Sequence, residues 1–241
     1  MNSANANTTN TNSGSTKDRD DAVLEHIGRY RVSIRPVLLD LFFSGNKATM
    51  GNVLTRLMSA KVKRLQAIPL KGGFSAYQLT REECRRRNLP ENRGIPLGTD
   101  ALHEALAVLW FCRMGKPERR RLEDANAETL LPGLRIEKPH CTEHSKDADR
   151  LYRVYVPDST SGTDSIMKTV RRYTDEIQNH PTAYDWLTHG EYAIAILVET
   201  ESRKKQIEDE LSKRTFPPGS HIIVEIAPGP TTLKDMPNFA P

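Results

Sequence analysis

The chain has 241 residues, of which 37% are hydrophobic, and it carries a net charge of +4 at neutral pH. This length and composition are typical of two modest domains with compact cores. No apolar run approaches the roughly 20 residues that a bilayer span needs and the N-terminus lacks a secretory pattern, so we expect a cytoplasmic protein without a membrane partner.

Residues 1–18 are predicted to form a disordered tail. Residues 1–16 consist almost entirely of Asn, Thr, Ser, Ala and Gly, and such a composition cannot bury enough surface to fold. A first helix is predicted from Asp20, because apolar residues then recur at steps of three and four on one face. These residues are Val23, Leu24, Ile27 and Tyr30.

Two further helices are predicted before residue 61. Ser33 is interpreted as the N-cap of the second helix, with Pro36 in its first turn, and Gly45 and Asn46 end it. A third helix spans about 47–60, with Met50, Val53, Leu54, Leu57 and Met58 on its apolar face. The opposite face of the third helix is polar and basic.

A β-hairpin and a fourth helix complete this half. Two strands, at 65–70 and 74–79, flank the turn at Gly72 and Gly73. Thr80 and Glu83 then have the spacing of a capping box, which predicts a helix start. Three helices followed by a hairpin are the element order of a winged helix-turn-helix, which we assign to residues 19–97.

This order predicts contacts with double-stranded DNA. The third helix would enter the major groove, where its side chains offer the donors and acceptors that read base edges. The lysines and arginines near the hairpin would contact phosphates, and residues 61–93 carry nine Lys or Arg against three acids. The candidate base-reading residues are Asn52, Thr55, Arg56 and Ser59, and the candidate phosphate contacts are Lys61, Lys63, Arg64 and Lys71.

Residues 98–150 are predicted to contain a bridging helix and a basic linker. Thr99 is interpreted as the cap of the helix, which ends near Gly115. The basic linker contains Arg119, Arg120 and Arg121, either as a second contact with the DNA backbone or as a solvated run. The triplet Arg85 to Arg87 is read mainly as the basic end of a helix.

The C-terminal half alternates between strands and helices, which favours a small α/β domain over residues 151–228. The predicted strands are 151–156, 192–198 and 221–226, and the predicted helices are 165–178 and 201–213. Residues 229–241, which contain several prolines, are predicted to be an extended tail. The expected fold class is therefore α+β.

The chain resembles the replication-relaxation family of bacterial plasmids and mobile elements. The resemblance rests on element order: a winged part at 23–87, a helix with His103 near its start at 99–106, and an α/β part at 151–226. It implies a restriction-endonuclease-like C-terminal domain, which would need clustered acids and a lysine to hold a divalent ion.

The nuclease constellation is incomplete in this sequence. Asp158 follows Pro157 as one half of such a site would require, but the later strand ends at Glu199 and Glu201 without a lysine two positions after an acid. Lys204 and Lys205 fall on the helix that follows. We therefore expect a degenerate nuclease fold without catalytic residues, so that the protein is not an enzyme.

The sequence thus predicts a DNA-binding protein, in the first place a transcriptional regulator of a mobile element. Three alternatives remain open: an accessory protein of plasmid replication or mobilisation, a metal-dependent nuclease around Asp158, and a protein-interaction adaptor. A single winged module offers a small contact area, so a homodimer on paired half-sites is expected.

No cofactor or metal is predicted. The sequence has no glycine-rich phosphate loop, and the only metal-like cluster, His140, Cys141 and His144, has no second ligand pair at zinc-finger spacing. The three cysteines, Cys84, Cys112 and Cys141, are widely spaced and odd in number, which favours buried thiols in a reducing compartment.

Overall fold

The computed structural model describes residues 16–115, 117–134, 137–144 and 149–235. Within these ranges the chain is a mixed α+β protein with a three-stranded and a five-stranded sheet, which confirms the expected class. Most of the predicted N-terminal tail, residues 1–15, lies outside the described residues. Helix α1 already begins at Thr16, so the last three residues of the range predicted to be disordered are helical.

The N-terminal half contains four helices around a small antiparallel sheet. Its elements are α1 Thr16–Tyr30, β1 Ser33–Ile34, α2 Arg35–Phe43, α3 Lys47–Met58, β2 Leu65–Pro69, β3 Ser75–Leu79 and α4 Arg81–Arg86. The strand order is β1-β3-β2, so that β3 pairs with the short β1 on one side and with β2 on the other. The predicted helix and hairpin order is therefore present.

The turn between β2 and β3 depends on its two glycines. Gly72 and Gly73 have φ angles of 79° and 80°, a left-handed conformation that side chains with a Cβ rarely adopt. Lys71 lies immediately before them and is exposed. The register that places Pro69 opposite Ser75 leaves Lys71 at the outer tip of the hairpin.

The C-terminal half contains a mixed sheet covered by helices. Its elements are α5 Thr99–Arg113, β4 Arg119–Arg121, α6 Asp124–Leu130, β5 His140–His144, β6 Asp149–Tyr155, α7 Thr163–Gln178, α8 Pro181–Thr188, β7 Tyr192–Val198, α9 Glu201–Ser212 and β8 His221–Ile226. The strand order follows the chain; β4, β5 and β6 are antiparallel, and β6, β7 and β8 are parallel. None of the helices in the described ranges combines the length and apolar character needed to cross a membrane.

The sheet of the C-terminal half is packed on both faces. One face packs against α7, α8 and α9 through a core that includes Ile194 and Ile166. The other face packs against α5, whose buried residues point in nearly every direction around its axis. The same core continues from α5 into the N-terminal half at Val32, Ile34 and Val37. Helix α5 is thus shared by the cores of both halves.

The region predicted as a bridging helix and linker, 98–150, contributes two strands to this sheet. Strands β4 and β5 were not predicted, and the expected boundary at residue 151 falls inside β6. The boundary was misplaced because β4 and β5 lack an apolar alternation. Arg119 of β4 is buried and pairs with Glu143 and Glu225 from distant parts of the chain, a tertiary effect that local sequence does not encode.

The predicted tail at 229–241 also packs in part. Residues 229–235 are described and include a short 3-10 turn at Leu233–Asp235, whereas residues 236–241 lie outside the described ranges. Leu233 is buried against the core that contains α5, and the backbone amide of Gly229 donates to the hydroxyl of Thr232. The start of the expected tail is therefore part of the folded chain.

Two predicted helix caps are wrong. Ser33 lies in β1 and its hydroxyl pairs with His26 Nε2 at 3.1 Å, while Ile34 precedes the first residue of α2. Thr99 is the first residue inside α5, which Gly98 precedes without a side-chain cap. The capping interpretation of Thr80 is confirmed, since its hydroxyl accepts from the backbone amide of Glu83 at 3.3 Å.

Candidate nucleic-acid interface

Helix α3 is held on the molecule by one apolar face. Asn46 caps it, since the Asn46 side chain accepts from the backbone amide of Thr49 at 2.9 Å. A tight turn before this cap uses Ser44 and Gly45 in left-handed conformations, which sets the direction of α3 relative to α2. The buried face consists of Met50, Val53, Leu54 and Leu57. These contacts fix which side of α3 faces the solvent.

The four predicted base-reading residues lie together on the solvent side of α3. Asn52, Thr55 and Arg56 are exposed, and Ser59, which ends the helix, is half-buried. Steps of three and four residues place all four side chains on one face of a helix. Gly51 has no side chain, and the space around it is open, since a Cβ there would meet no atom within 4 Å. The surface of α3 therefore protrudes little at this position.

Arg56 is paired with an acid of α1. Its Nη2 lies 2.6 Å from Asp20 Oδ2, and the Asp20 side chain is only 5% exposed, whereas Arg56 is 47% exposed. The pair positions the guanidinium at the edge of the exposed face. A base contact by Arg56 would have to compete with this carboxylate, which sequence reasoning did not reveal.

Three of the predicted phosphate-binding residues are exposed lysines. Lys61 and Lys63 lie in the turn between α3 and β2, and Lys71 lies at the tip of the hairpin. Within the described part of the chain, no carboxylate lies at ion-pair distance from any of them. Each ammonium group is therefore available to an external anion.

Arg64 is occupied by an internal ion-pair network. Its Nε and Nη2 lie 2.9 Å and 2.8 Å from the two carboxylate oxygens of Glu83, whose side chain is fully buried. Arg87 also donates to Glu83, at 2.7 Å, and both arginines reach Asp21 of α1. Arg64 thus joins α1, the hairpin and α4, unlike the three lysines.

Several arginines of the other two runs are likewise engaged. Arg85 and Arg86 pair with Glu91 and Glu82. Arg119 is 3% exposed, donates to Glu143 and Glu225, and lies over the Phe111 ring at 4.0 Å. Burial would lower the pKa of Arg119, but the hydrogen bonds from its guanidinium to Glu225 and Glu143 outweigh burial and raise it. Arg119 is a structural residue of the sheet.

A cavity adjoins the start of α3. It has a volume of about 890 Å³ and lies between α2, the start of α3 and the hairpin turn, with Arg35, Asp40, Lys47 and Phe74 in its lining. Arg35 Nε donates to the Tyr77 hydroxyl at 2.9 Å. Lys47 is exposed at the first turn of α3 and was not among the predicted site residues. Its sequence position beside the Asn46 cap was the only available signal.

The acids of the predicted nuclease alternative lie at the carboxyl ends of β6 and β7. Asp158 is exposed, and its carboxylate accepts from the hydroxyls of Thr160 and Ser161 at 2.9 Å each, which lowers the pKa of Asp158. Glu199 accepts from the Thr232 hydroxyl at 2.8 Å and lies 3.4 Å from His103 Nε2. The carboxylates of Asp158 and Glu199 are thus bound by different groups of the chain and share no partner.

No metal centre is formed by the described residues. Among them, no group of three or more His, Cys, Asp or Glu side chains converges in a way that could hold an ion. Of the zinc-like cluster in the sequence, Cys141 faces Cys112 in the core, with 3.3 Å between the two sulfur atoms. His140 pairs with the Tyr192 hydroxyl, and His144 pairs with Asp149.

Comparison of the chain with known protein families, with curated proteins and with solved structures found no match in any of the three.

Proposed function

We propose that this protein binds double-stranded DNA through a winged helix-turn-helix at 19–97, with α3 in the major groove and the β2–β3 turn on the phosphate backbone. Three helices followed by the β1-β3-β2 sheet support this assignment. The expected role is that of a sequence-specific transcriptional regulator.

The exposed face of α3 is the observation that carries the proposal. Any surface helix has a polar outer face, but the outer face of α3 combines short side chains with Asn52 and Arg56, so it could approach base edges closely and still offer donors to them. Asn52 and Arg56 are the side chains suited to adenine and guanine, and Thr55 and Ser59 are short enough to let the helix approach the bases.

The exposed lysines fit the role of backbone contacts. Lys61, Lys63 and Lys71 flank α3 on the turn and at the hairpin tip, which is where a wing meets phosphates. Arg64 is assigned a different role: it holds α4 and α1 against the hairpin through Glu83 and Asp21. We therefore remove Arg64 from the predicted footprint and keep the three lysines.

The C-terminal sheet is proposed to be a degenerate nuclease-like domain. The partners of Asp158 and Glu199 support this, because both carboxylates are already engaged by hydroxyl groups of the chain. Incubation of plasmid DNA with the protein and Mg²⁺ or Mn²⁺ tests this assignment. Cleavage that disappears in Asp158→Ala would contradict it and favour the nuclease alternative.

The mobile-element role rests on the resemblance to replication-relaxation proteins alone. Regulation of such an element and accessory work in its replication or mobilisation both require DNA binding. We propose a homodimer on paired half-sites, which light scattering of the free and DNA-bound protein tests. A monomer mass in both states would contradict the dimer.

Fluorescence anisotropy across a salt series tests the DNA-binding proposal, with a labelled fragment of the gene's own upstream DNA and an unrelated fragment. We expect tighter binding to the upstream fragment. Asn52→Ala should reduce that preference, and Lys71→Ala should weaken binding to both fragments and reduce the salt slope by about 1.

Lys213→Ala is the matched control, because Lys213 is an exposed lysine at the end of α9 that pairs with Glu210. It should leave both affinities and the slope unchanged. Absence of binding to either fragment at low salt would overturn the proposal and favour a protein-interaction adaptor.

A further inference from the structure

A second cavity lies between the two halves of the molecule. It has a volume of about 550 Å³, within the range of roughly 300–1,000 Å³ that small-molecule sites occupy. Helices α1 and α2 form one wall, and the end of α5 with strands β4 and β5 forms the other. The cavity is separate from the exposed face of α3.

The cavity is lined by more arginines than acids. Arg29, Arg113, Arg119 and Arg120 line it, against Glu25 and Glu118. Arg119 is already held by Glu143 and Glu225. The guanidinium of Arg120 is exposed and has no carboxylate at ion-pair distance among the described residues. Arg29, Arg113 and Arg120 therefore remain as the cationic groups that an external ligand can reach.

The arginines are held more firmly than the acids that pair with them. Arg29 is 13% exposed and pairs with Glu25 and Glu123, which are 66% and 53% exposed, and Arg113 is 20% exposed and pairs with Glu118, which is 75% exposed. Ion pairs with such exposed carboxylates are weak, and long solvated side chains reorient easily. An incoming anion can displace Glu25 and Glu118 while the arginines stay in place.

Two further features of the cavity favour an anion. Arg113 Nε is buried, and it has no hydrogen-bond partner among the described residues. Burial, followed by the positive charges of Arg113 and Arg29, lowers the pKa of His26 from 6.5 to about 3, so His26 stays neutral. The Nε of Arg113 thus offers an unused donor to an anion, and the neutral His26 beside it adds no competing charge.

An aromatic wall adjoins the arginines. The ring of His26 lies 4.8 Å from that of Tyr30 and 5.5 Å from that of Phe42, measured between centroids, and all three residues line the cavity. A neutral imidazole between two aromatic rings suits an organic group better than it suits water.

We infer that this cavity binds a small organic anion, a phosphate ester or a carboxylate, whose acid group is held by Arg29, Arg113 and Arg120. Guanidinium groups match both oxyanions, since they donate paired hydrogen bonds in a plane. The organic part lies against the wall of His26, Tyr30 and Phe42. This inference goes beyond DNA binding and does not depend on it.

Isothermal titration calorimetry of the full chain at matched ionic strength tests the inference. The probes are sodium pyrophosphate, trisodium citrate and adenosine 5′-monophosphate. Sodium chloride is the salt control, and adenosine is the control without an acid group. We expect saturable one-to-one binding of at least one anionic probe and none of adenosine. Pyrophosphate or the monophosphate would identify a phosphate ligand, and citrate a carboxylate ligand.

Arg113→Gln and Arg120→Gln should each weaken the binding by about tenfold, the usual effect of losing a charge-assisted hydrogen bond. Because Arg120 is exposed, Arg120→Gln should fold normally. This variant therefore tests the site even if Arg113→Gln does not fold. Arg172→Gln is the matched control, because Arg172 is an exposed arginine on α7, across the sheet, and its loss should leave the affinity unchanged.

Absence of saturable binding by all three anions would overturn the inference. Equal affinities in wild type, Arg113→Gln and Arg120→Gln would do the same. If no anion binds but Arg120→Gln reduces the salt slope of DNA binding, the arginines contact the DNA backbone instead, and the small-molecule site is disproved.

Discussion

The guanidinium of Arg56 and the carboxylate of Asp20 lie 2.6 Å apart, so that an ion pair joins the exposed face of α3 to α1. Because Asp20 is almost fully buried and Arg56 is half-exposed, the arginine is the partner that can leave. The Asp20 carboxylate therefore competes with DNA for Arg56 under the proposed function.

Asp20→Asn is expected to raise the affinity for the upstream fragment by about tenfold or more, because Arg56 no longer leaves a buried carboxylate unpaired, which costs more than the roughly 1 kcal/mol of a surface pair. Arg56→Ala should lower the affinity. Fluorescence anisotropy of both variants and of the double variant completes a double-mutant cycle. If Asp20→Asn still raises the affinity when Arg56 is alanine, the competition does not act through Arg56.

Glu83→Gln is expected to destabilise the protein by roughly 3 kcal/mol at neutral pH, because it leaves Arg64 and Arg87 without their buried charged partner. Denaturant unfolding measures this difference. Glu91→Gln is the matched control, since Glu91 accepts two hydrogen bonds from Arg85 at the exposed surface. It should leave the free energy of unfolding unchanged.

The effect of Glu83→Gln should depend on pH. Burial alone would raise the pKa of Glu83, but hydrogen bonds from Arg64 and Arg87 outweigh burial and lower the pKa below its usual 4.5. A lowered native pKa means that the carboxylate stabilises the fold fully above pH 4.5 and loses this contribution as the pH falls through the native pKa. Unfolding curves of the two proteins should converge in acid. A constant difference from neutral pH down to acid would contradict the assignment.

The three cysteines should resist modification in the folded protein. Cys84, Cys112 and Cys141 are fully buried, and burial raises the pKa of Cys84 and Cys112, so that their reactive thiolates are scarce. A thiol-reactive chromogenic disulfide reagent at pH 8 should react with three thiols in denaturant and with almost none in the native state. Rapid release of one equivalent from the native protein would show that a cysteine is accessible.

Gly94→Ala is expected to destabilise the fold by about 3 kcal/mol, because a Cβ at this position would lie 2.3 Å from the backbone nitrogen of Arg81. The start of α4 would have to shift away from it. Gly51→Ala is the control: it adds the same methyl group to open space in α3 and should stabilise the protein by up to about 1 kcal/mol. Thermal unfolding of both variants measures the contrast. A neutral effect of Gly94→Ala would indicate that α4 can move freely.

The local sequence predicted those helices and strands whose apolar residues recur with the period of a helix or of a strand. Helices α1 and α3 and strands β7 and β8 follow this rule, and the bounds of β7 and β8 are those predicted. Strands β4 and β5 do not follow it, because the side chains of Arg119 and Glu143 are buried by pairing with one another. Arg119 and Glu143 lie far apart along the chain, so a short stretch of sequence does not show that they will pair and be buried.

The exposed residues of the candidate interface were predicted from the sequence, but its ion pairs were not. The side of α3 that faces solvent follows from the positions of Met50, Val53 and Leu57, so that Asn52 and Thr55 were correctly expected at the surface. The pairing of Arg64 with Glu83 and of Arg56 with Asp20 depends on how α1 and α4 pack. Composition counted these arginines as free charge, whereas the packed chain neutralises them.

Helix α5 links the two halves of the chain. Its buried residues contact the sheet on one side and the region of Val32 and Val37 on the other. A fragment ending at residue 97 would therefore expose an apolar surface to water and be prone to aggregation. Truncation studies of DNA binding should therefore retain α5 together with the sheet that covers it.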